Sequence, residues 1–199
     1  AKSNIATRLL GQMKLWQKFA LLGTLAFAAV AMPYYQFLRT SEGNIEFAAT
    51  EVNGIEPVRA TVKLLQLMQQ HRTLSGLALA GDAAQASARV AKQTETELAI
   101  EQVDKVVAAL NVKLAKDRWV EAKGDWKRIA AAVASRSIDA RQSYDEHSEM
   151  LEDVIVMIES IGDNYLLTLD PTAHTYFLVQ TALVRLPELA ESVSQMGAL

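Results

Sequence analysis

Residues Tyr144–Tyr165, YDEHSEMLEDVIVMIESIGDNY, decide the fold. Tyr144, His147, Leu151, Val154, Ile158, Ile161 and Tyr165 follow one another at steps of three and four, which lays them along one face of an α-helix. Acidic residues such as Glu146, Glu149, Glu152 and Asp153 fill the positions between. A helix with one long apolar stripe must bury that stripe against other elements. Sustained 3–4 stepping favours near-parallel, knobs-into-holes contacts, the geometry of an up-and-down bundle.

The same spacing continues outward from this helix. Before it, Ser135–Asp139 reads as a turn, and Asp139 with Gln142 has the form of a capping pair. Residues 83–134 are Ala, Val and charge in helical alternation, with Val112, Trp119, Trp126 and Val133 at intervals of seven. As one helix they would extend ~78 Å, against ~60 Å for residues 40–80, so a break is expected near Asn111–Asp117 or near Gly124. Earlier still, Val58, Val62, Leu65, Gln69, Arg72, Gly76 and Leu79 step by four and three, and Gly81-Asp82 supplies a stop and the next cap. On the C-terminal side, Asp170-Pro171 reads as an N-cap with a first-turn proline. Tyr176, Val179, Leu183, Leu186, Ala190 and Val193 predict a last helix that Pro187 bends or breaks. The fold class is all-α.

Composition agrees. The 199 residues include only 9 Gly and 4 Pro, too few turn-formers to punctuate the many short strands of an all-β sandwich or barrel. The absence of Cys excludes disulfide scaffolds, thiolate zinc sites, iron–sulfur clusters and cysteine nucleophiles. A net charge of −3 without a basic block argues against a nucleic-acid partner. Phosphate loops, dinucleotide fingerprints, zinc-protease and nucleophile-elbow motifs are missing, so the sequence reads as a non-enzyme without a cofactor. His71, His147 and His174 fall on three different predicted helices, and their spacing calls for no metal site.

Apolar character is concentrated near the N-terminus. Phe19–Leu38, FALLGTLAFAAVAMPYYQFL, is uncharged for 20 residues, the length that crosses ~30 Å of hydrocarbon. Lys2, Arg8, Lys14 and Lys18 precede it without an acid, which places the N-terminus in the cytoplasm and the bulk of the chain outside. Trp16, Tyr34 and Tyr35 suit the two interfaces. The expected organisation is a basic segment over 1–18, a transmembrane helix over 19–38 continuing into the bundle, and one exported helical domain over 40–199. A cleavable signal peptide ending at Ala29-Val30-Ala31 is the rival reading.

Polar chemistry on the core stripes marks the candidate site. Gln69 and Arg72 occupy interior positions of the first bundle helix, with His71 one neighbour away beside Leu64 and Met68. A buried guanidinium needs a partner or a ligand. With an amide and an imidazole nearby, it suits a small carboxylate or oxyanion. Tyr144 and His147 share the interior stripe of another helix, and Tyr176 opens that of the last. A satisfied structural network, in which Arg72 pairs with an acid from a neighbouring helix, is the alternative.

LWQKFALLG at the head of the span, then LLQLMQQHRTLSGLALAGD, IGDNYLLTLDPTAHTYFL and LVRLPELAES, come in an order that resembles the extracytoplasmic sensor region of bacterial methyl-accepting chemotaxis proteins. Related regions occur in membrane histidine kinases and diguanylate cyclases. The resemblance runs from about Lys14 to Met196. It is most specific at Gln69-Gln70-His71-Arg72 with Leu74-Ser75, and at Leu169-Asp170-Pro171 with Tyr176. Thr73 departs from it where a Gly would follow the His-Arg pair, and His174-Thr175 replaces a pair that is usually acidic or contains Ser.

The resemblance implies a homodimeric helical bundle on the periplasmic side of the bacterial inner membrane. Its ligand would be an organic acid, an amino acid or an oxyanion bound between helices, and its output a helix displacement. Such receptors also carry a second span and a cytoplasmic signalling hairpin, so the 40–199 domain is expected to be incomplete at its C-terminus. The rival from another class is a single-pass structural or assembly subunit whose bundle holds partner proteins.

Overall fold

The computed structural model describes residues 12–168 together with Thr181, Arg185, Leu186, Leu189 and Ser192. Most of the predicted last helix, its Asp170-Pro171 cap and the bend at Pro187 lie outside the described residues. Four α-helices are defined: α1 over Leu15–Leu79, α2 over Ala83–Ala109, α3 over Lys113–Ser135 and α4 over Ala140–Asn164. Among the described residues there is no strand. The chain divides into two compact units, Ala1–Ala48 and Ala49–Leu199.

The first unit contains the early part of α1. At its start the Gln17 side chain accepts from the Lys14 backbone N–H at 2.8 Å, the return half of a capping box. The large apolar side chains that follow, among them Phe19, Leu22, Leu25, Phe27, Val30 and Phe37, are all exposed. An 18-residue window here is long and apolar enough to cross a membrane, and none of it is buried. Two polar groups in this stretch find partners within the helix. Thr24 donates to the Ala20 carbonyl at 2.9 Å. Arg39 Nε donates to the Tyr35 hydroxyl at 3.0 Å, with the guanidinium 5.6 Å from the ring centroid. Helix α1 continues through both Pro33 and Pro57.

In the second unit, buried side chains from all four helices join in one core that includes Leu64, Met68, Val103, Trp119, Ile129, Met150, Val154 and Ile161. Val112, Trp119, Trp126 and Val133, the seven-residue series, are all buried. Arg118 bonds Asp153 and Arg128 bonds Glu146. Rising positions on α3 thus meet falling positions on α4, so the two run antiparallel. Asp104 ties α2 to α3 by accepting from Trp119 Nε1 and Lys123 Nζ, each at 2.7 Å. Burial pushes its carboxyl up, but the Lys123 and Trp119 hydrogen bonds outweigh this and hold it below the ordinary range.

The helix ends follow local chemistry. The Asp82 carboxylate caps α2 at the Ala84 N–H, 3.0 Å, and the Asp139 carboxylate caps α4 at the Gln142 N–H, 2.8 Å. Only half of the expected Asp139/Gln142 box forms, because the Gln142 amide turns to Glu146 instead. The 83–134 stretch breaks at Leu110–Val112, where Leu110 and Val112 take extended backbone and bury their side chains, while Gly124 lies inside α3. Helices α1, α3 and α4 all close with a six-to-one backbone bond: Asp82 N–H to Leu77, Ser137 N–H to Ala132, and Leu167 N–H to Gly162. Such a closure puts one residue in the left-handed region. Gly81 fills it at φ 105°, whereas Arg136 and Leu166 fill it at 53° and 61° without being glycine.

Candidate functional site

On α1 the buried face is wider than one stripe. Val58, Leu65 and Arg72 of the predicted series are buried, and so are Thr61, Leu64, Met68, His71 and Ser75, all at 0% exposure. The centre of the face therefore passes through His71 and not through Gln69, which is half-buried with its carbonyl accepting from Thr73. A helix packed against neighbours on both sides buries two adjacent stripes.

Across from this face stands α4. His71 Nδ1 and His147 Nε2 lie 3.0 Å apart, with both rings fully buried. His147 Nδ1 is 2.6 Å from the Ser143 carbonyl oxygen. A carbonyl can only accept, so Nδ1 carries the His147 proton and Nε2 is left as a lone pair. His71 Nδ1 must then donate to it, which leaves His71 Nε2 as an unprotonated, buried acceptor. Ser75 and Ser143 hydroxyls stand 3.4 Å from the respective Nδ1 atoms, each one helical turn away. Trp126 of α3 meets the His71 ring edge-on at 4.7 Å between centroids.

Beside the imidazoles, Arg72 is 1% exposed. Its Nη1 donates to Ser148 Oγ at 2.9 Å, and the guanidinium carbon sits 4.6 Å from the Tyr144 ring centroid. Ser148 is in turn fixed by donating to the Tyr144 carbonyl. Among the described residues, the buried His71 Nε2 and the Tyr144 hydroxyl have no hydrogen-bond partner. Arg89, on α2, is also buried and donates to Gln93 Oε1 at 2.7 Å.

His71, His147, Arg72 and Arg89 are all buried, and the last two carry guanidinium groups. Burial, then the neighbouring His147 and Arg89, bring the His71 pKa down to about 3. Burial also dominates at His147, where it and Arg72 outweigh the Ser143 carbonyl and Glu146 and leave the pKa at about 4. Both rings are therefore neutral at pH 7. Such a group of side chains can hold an anion at the guanidinium or take up a proton at an imidazole.

Of the six residues singled out from the sequence, His71, Arg72, Tyr144 and His147 come together here. Gln69 lies on the same helix, and Tyr176 falls outside the described residues. Sequence reasoning missed Ser75, Ser143, Ser148, Trp126 and Arg89. The Ser75/His71 and Ser143/His147 pairs were visible as four-residue spacings, whereas Arg89 sits in an alternation of Ala and charge that reads as surface. No three His, Asp or Glu side chains among the described residues are grouped so as to hold a metal ion. No protein-family model, curated protein or solved structure matches the chain.

Proposed function

We propose that this chain is the sensing part of a bacterial transmembrane chemoreceptor. In this reading Phe19–Leu38 crosses the inner membrane with the N-terminus in the cytoplasm, and α1 continues outside into an up-and-down helical bundle that pairs with a second copy. A small organic acid, amino acid or oxyanion binds between α1 and α4, and the output is a displacement of α1. The ligand can drive that output only by binding one helix arrangement more tightly than the other.

One observation carries the reading. Arg72, Tyr144, His71 and His147, distant in sequence, converge in a buried polar group between α1 and α4. A core built only for stability gains little from a guanidinium, since an apolar replacement of similar volume is often as stable or more so. Support for the anchor comes from the exposed apolar window of α1. A second reading, a membrane-anchored assembly subunit that binds partner proteins, is favoured by the closure of the cluster, where His71 and His147 are 0% exposed.

The test is a thermal-shift screen of the full chain in detergent micelles, followed through helical circular dichroism. Dicarboxylates, α-amino acids and sulfate are the probes. A ligand at a hundred times its Kd adds about 2.7 kcal/mol to stability. At ~2–4 °C per kcal/mol for a domain of this size, the expected rise is about 5–10 °C. No rise with any probe up to millimolar concentration favours the assembly subunit.

A further inference from the structure

Besides lining the candidate anion site, the two buried imidazoles are bonded directly to each other across α1 and α4. Their hydrogen bonds make a one-way chain: His71 Nδ1–H to His147 Nε2, and His147 Nδ1–H to the Ser143 carbonyl. Three of the four ring nitrogens are engaged. The only lone pair left for a proton is His71 Nε2, which is buried and has no acceptor within reach among the described residues.

We propose that the His71–His147 pair is a proton sensor, a contact that holds α1 against α4 while both rings are neutral and releases it when one proton enters at His71 Nε2. The charge that proton brings can sit on either ring, because His71 can pass its Nδ1 proton to His147 Nε2. Both placements leave a new, unsatisfied Nε2–H donor in a buried position, which disfavours the closed contact before any repulsion. The charged surroundings oppose it further. Arg72 on α1 faces His147, and Arg89 on α2 faces His71. Helix α3 brings Trp126 against His71, and the charges that act on His71 come from His147 and Arg89. Among the described residues, the carboxylate that acts on His147 is Glu146 on its own helix, already shared between Arg128 and Gln142. Opening the contact exposes both rings to water, where the proton is accepted at the ordinary value. Acid therefore drives separation at this point, with a midpoint between the about 4 of the packed His147 ring and the 6.5 of a solvated one. The inference goes beyond the anion-sensing reading and stands without it, because the ligand here is the proton.

The chain has no native cysteine, so spin labels can be placed at will. Thr73→Cys on α1 and Glu149→Cys on α4 put labels on exposed neighbours of Arg72 and Ser148. Label separation and helical circular dichroism are recorded on the full chain in micelles between pH 7.5 and 4. The expected result is a longer, broader distance distribution on acidification while the helical signal is retained. The open-to-closed ratio should rise up to tenfold per pH unit for each proton taken up.

The His71→Gln/His147→Gln double variant should keep one distribution throughout. An unchanged distance in the wild type, or a change that persists in a folded double variant, overturns the proposal. So does a distance change that coincides with loss of helix, which would be plain acid unfolding. If the double variant does not fold, histidine nitrogen NMR on the wild type decides. Proton uptake at the midpoint of the distance change supports the sensor, and rings that stay neutral through that midpoint sink it.

Discussion

Gly54 offers a test in which two effects of opposite sign meet. It lies inside α1, where glycine is about 1 kcal/mol less favourable than alanine. On helix propensity alone, Gly54→Ala stabilises. A Cβ at this position, however, would press on Tyr165 Cβ, lie 2.8 Å from Tyr165 Cγ and 3.2 Å from Leu167 Cδ1. Carbon atoms prefer about 3.5–4.0 Å, so the overlap with Tyr165 approaches 1 Å. The Leu167 methyl can swing away. Tyr165 Cβ cannot, because it is one bond from the backbone, so α1 or the turn after α4 must shift.

Over-insertion of this kind costs about 1–3 kcal/mol, and contact with an atom so close to the backbone belongs to the upper part of that range, above the propensity gain. Gly76→Ala and Gly124→Ala provide the controls, since a Cβ at either meets nothing within 4 Å. Thermal melts of the full chain in one detergent should place Gly54→Ala several degrees below the wild type and both controls slightly above it. The propensity gain is common to both variants, so at ~2–4 °C per kcal/mol the separation between Gly54→Ala and Gly76→Ala should be about 2–12 °C. A Gly54→Ala protein that melts with the controls would refute the packing of the post-α4 turn on α1.

Three further outcomes follow from the same physics. Leu166 holds a left-handed conformation that costs an L-residue about 1–2 kcal/mol, so Leu166→Gly should raise the urea midpoint, and an unchanged or lower midpoint would contradict the α4 closure. Asp139→Ala removes the carboxylate that caps α4 and should cost about 1 kcal/mol in urea unfolding, largely restored by Asp139→Asn. The third concerns pH. His71 and His147 have folded pKa values below the 6.5 of the unfolded chain, so their contribution is complete above pH 6.5 and is lost as pH falls toward about 4. With the contact closed throughout, the pair should take about 3 kcal/mol from stability between pH 6.5 and 5, and less where it opens within that interval, lowering the urea midpoint by up to roughly 1–2 M. A flat midpoint over that interval would mean that the rings are not buried as neutral groups.

Much of the fold could be read from residue spacing, because helices announce themselves locally. The Val112–Trp119–Trp126–Val133 series and the Tyr144–Tyr165 stripe are buried along their length or nearly so, and Gly81, Asp82 and Asp139 stand at the ends they suggested. What escaped depends on neighbours. Stepping by three and four picks one residue per turn, so it chose Gln69 and placed His71 on a flank, whereas contact from two sides buries His71 completely. The ends at Arg136 and Leu166 carry no glycine, and their left-handed closure leaves no trace in composition. The break at Leu110–Val112 is likewise unmarked by glycine or proline and is held by burying Leu110 and Val112. In the candidate site, Arg72, His71, Tyr144 and His147 were legible as polar residues on apolar stripes. Their pairing was not, since which rung of α1 faces which rung of α4 is set by the packed core.

Whether Arg72 and its neighbours receive a small anion, as proposed, is decided by one comparison. Melting temperatures of the wild type and of Arg72→Ala are measured with and without whichever probe shifts the wild type most. A rise of about 5–10 °C is expected in the wild type and none in an Arg72→Ala protein that retains its helical signal. A folded Arg72→Ala protein with the full shift, or a wild type that responds to no anion, contradicts it.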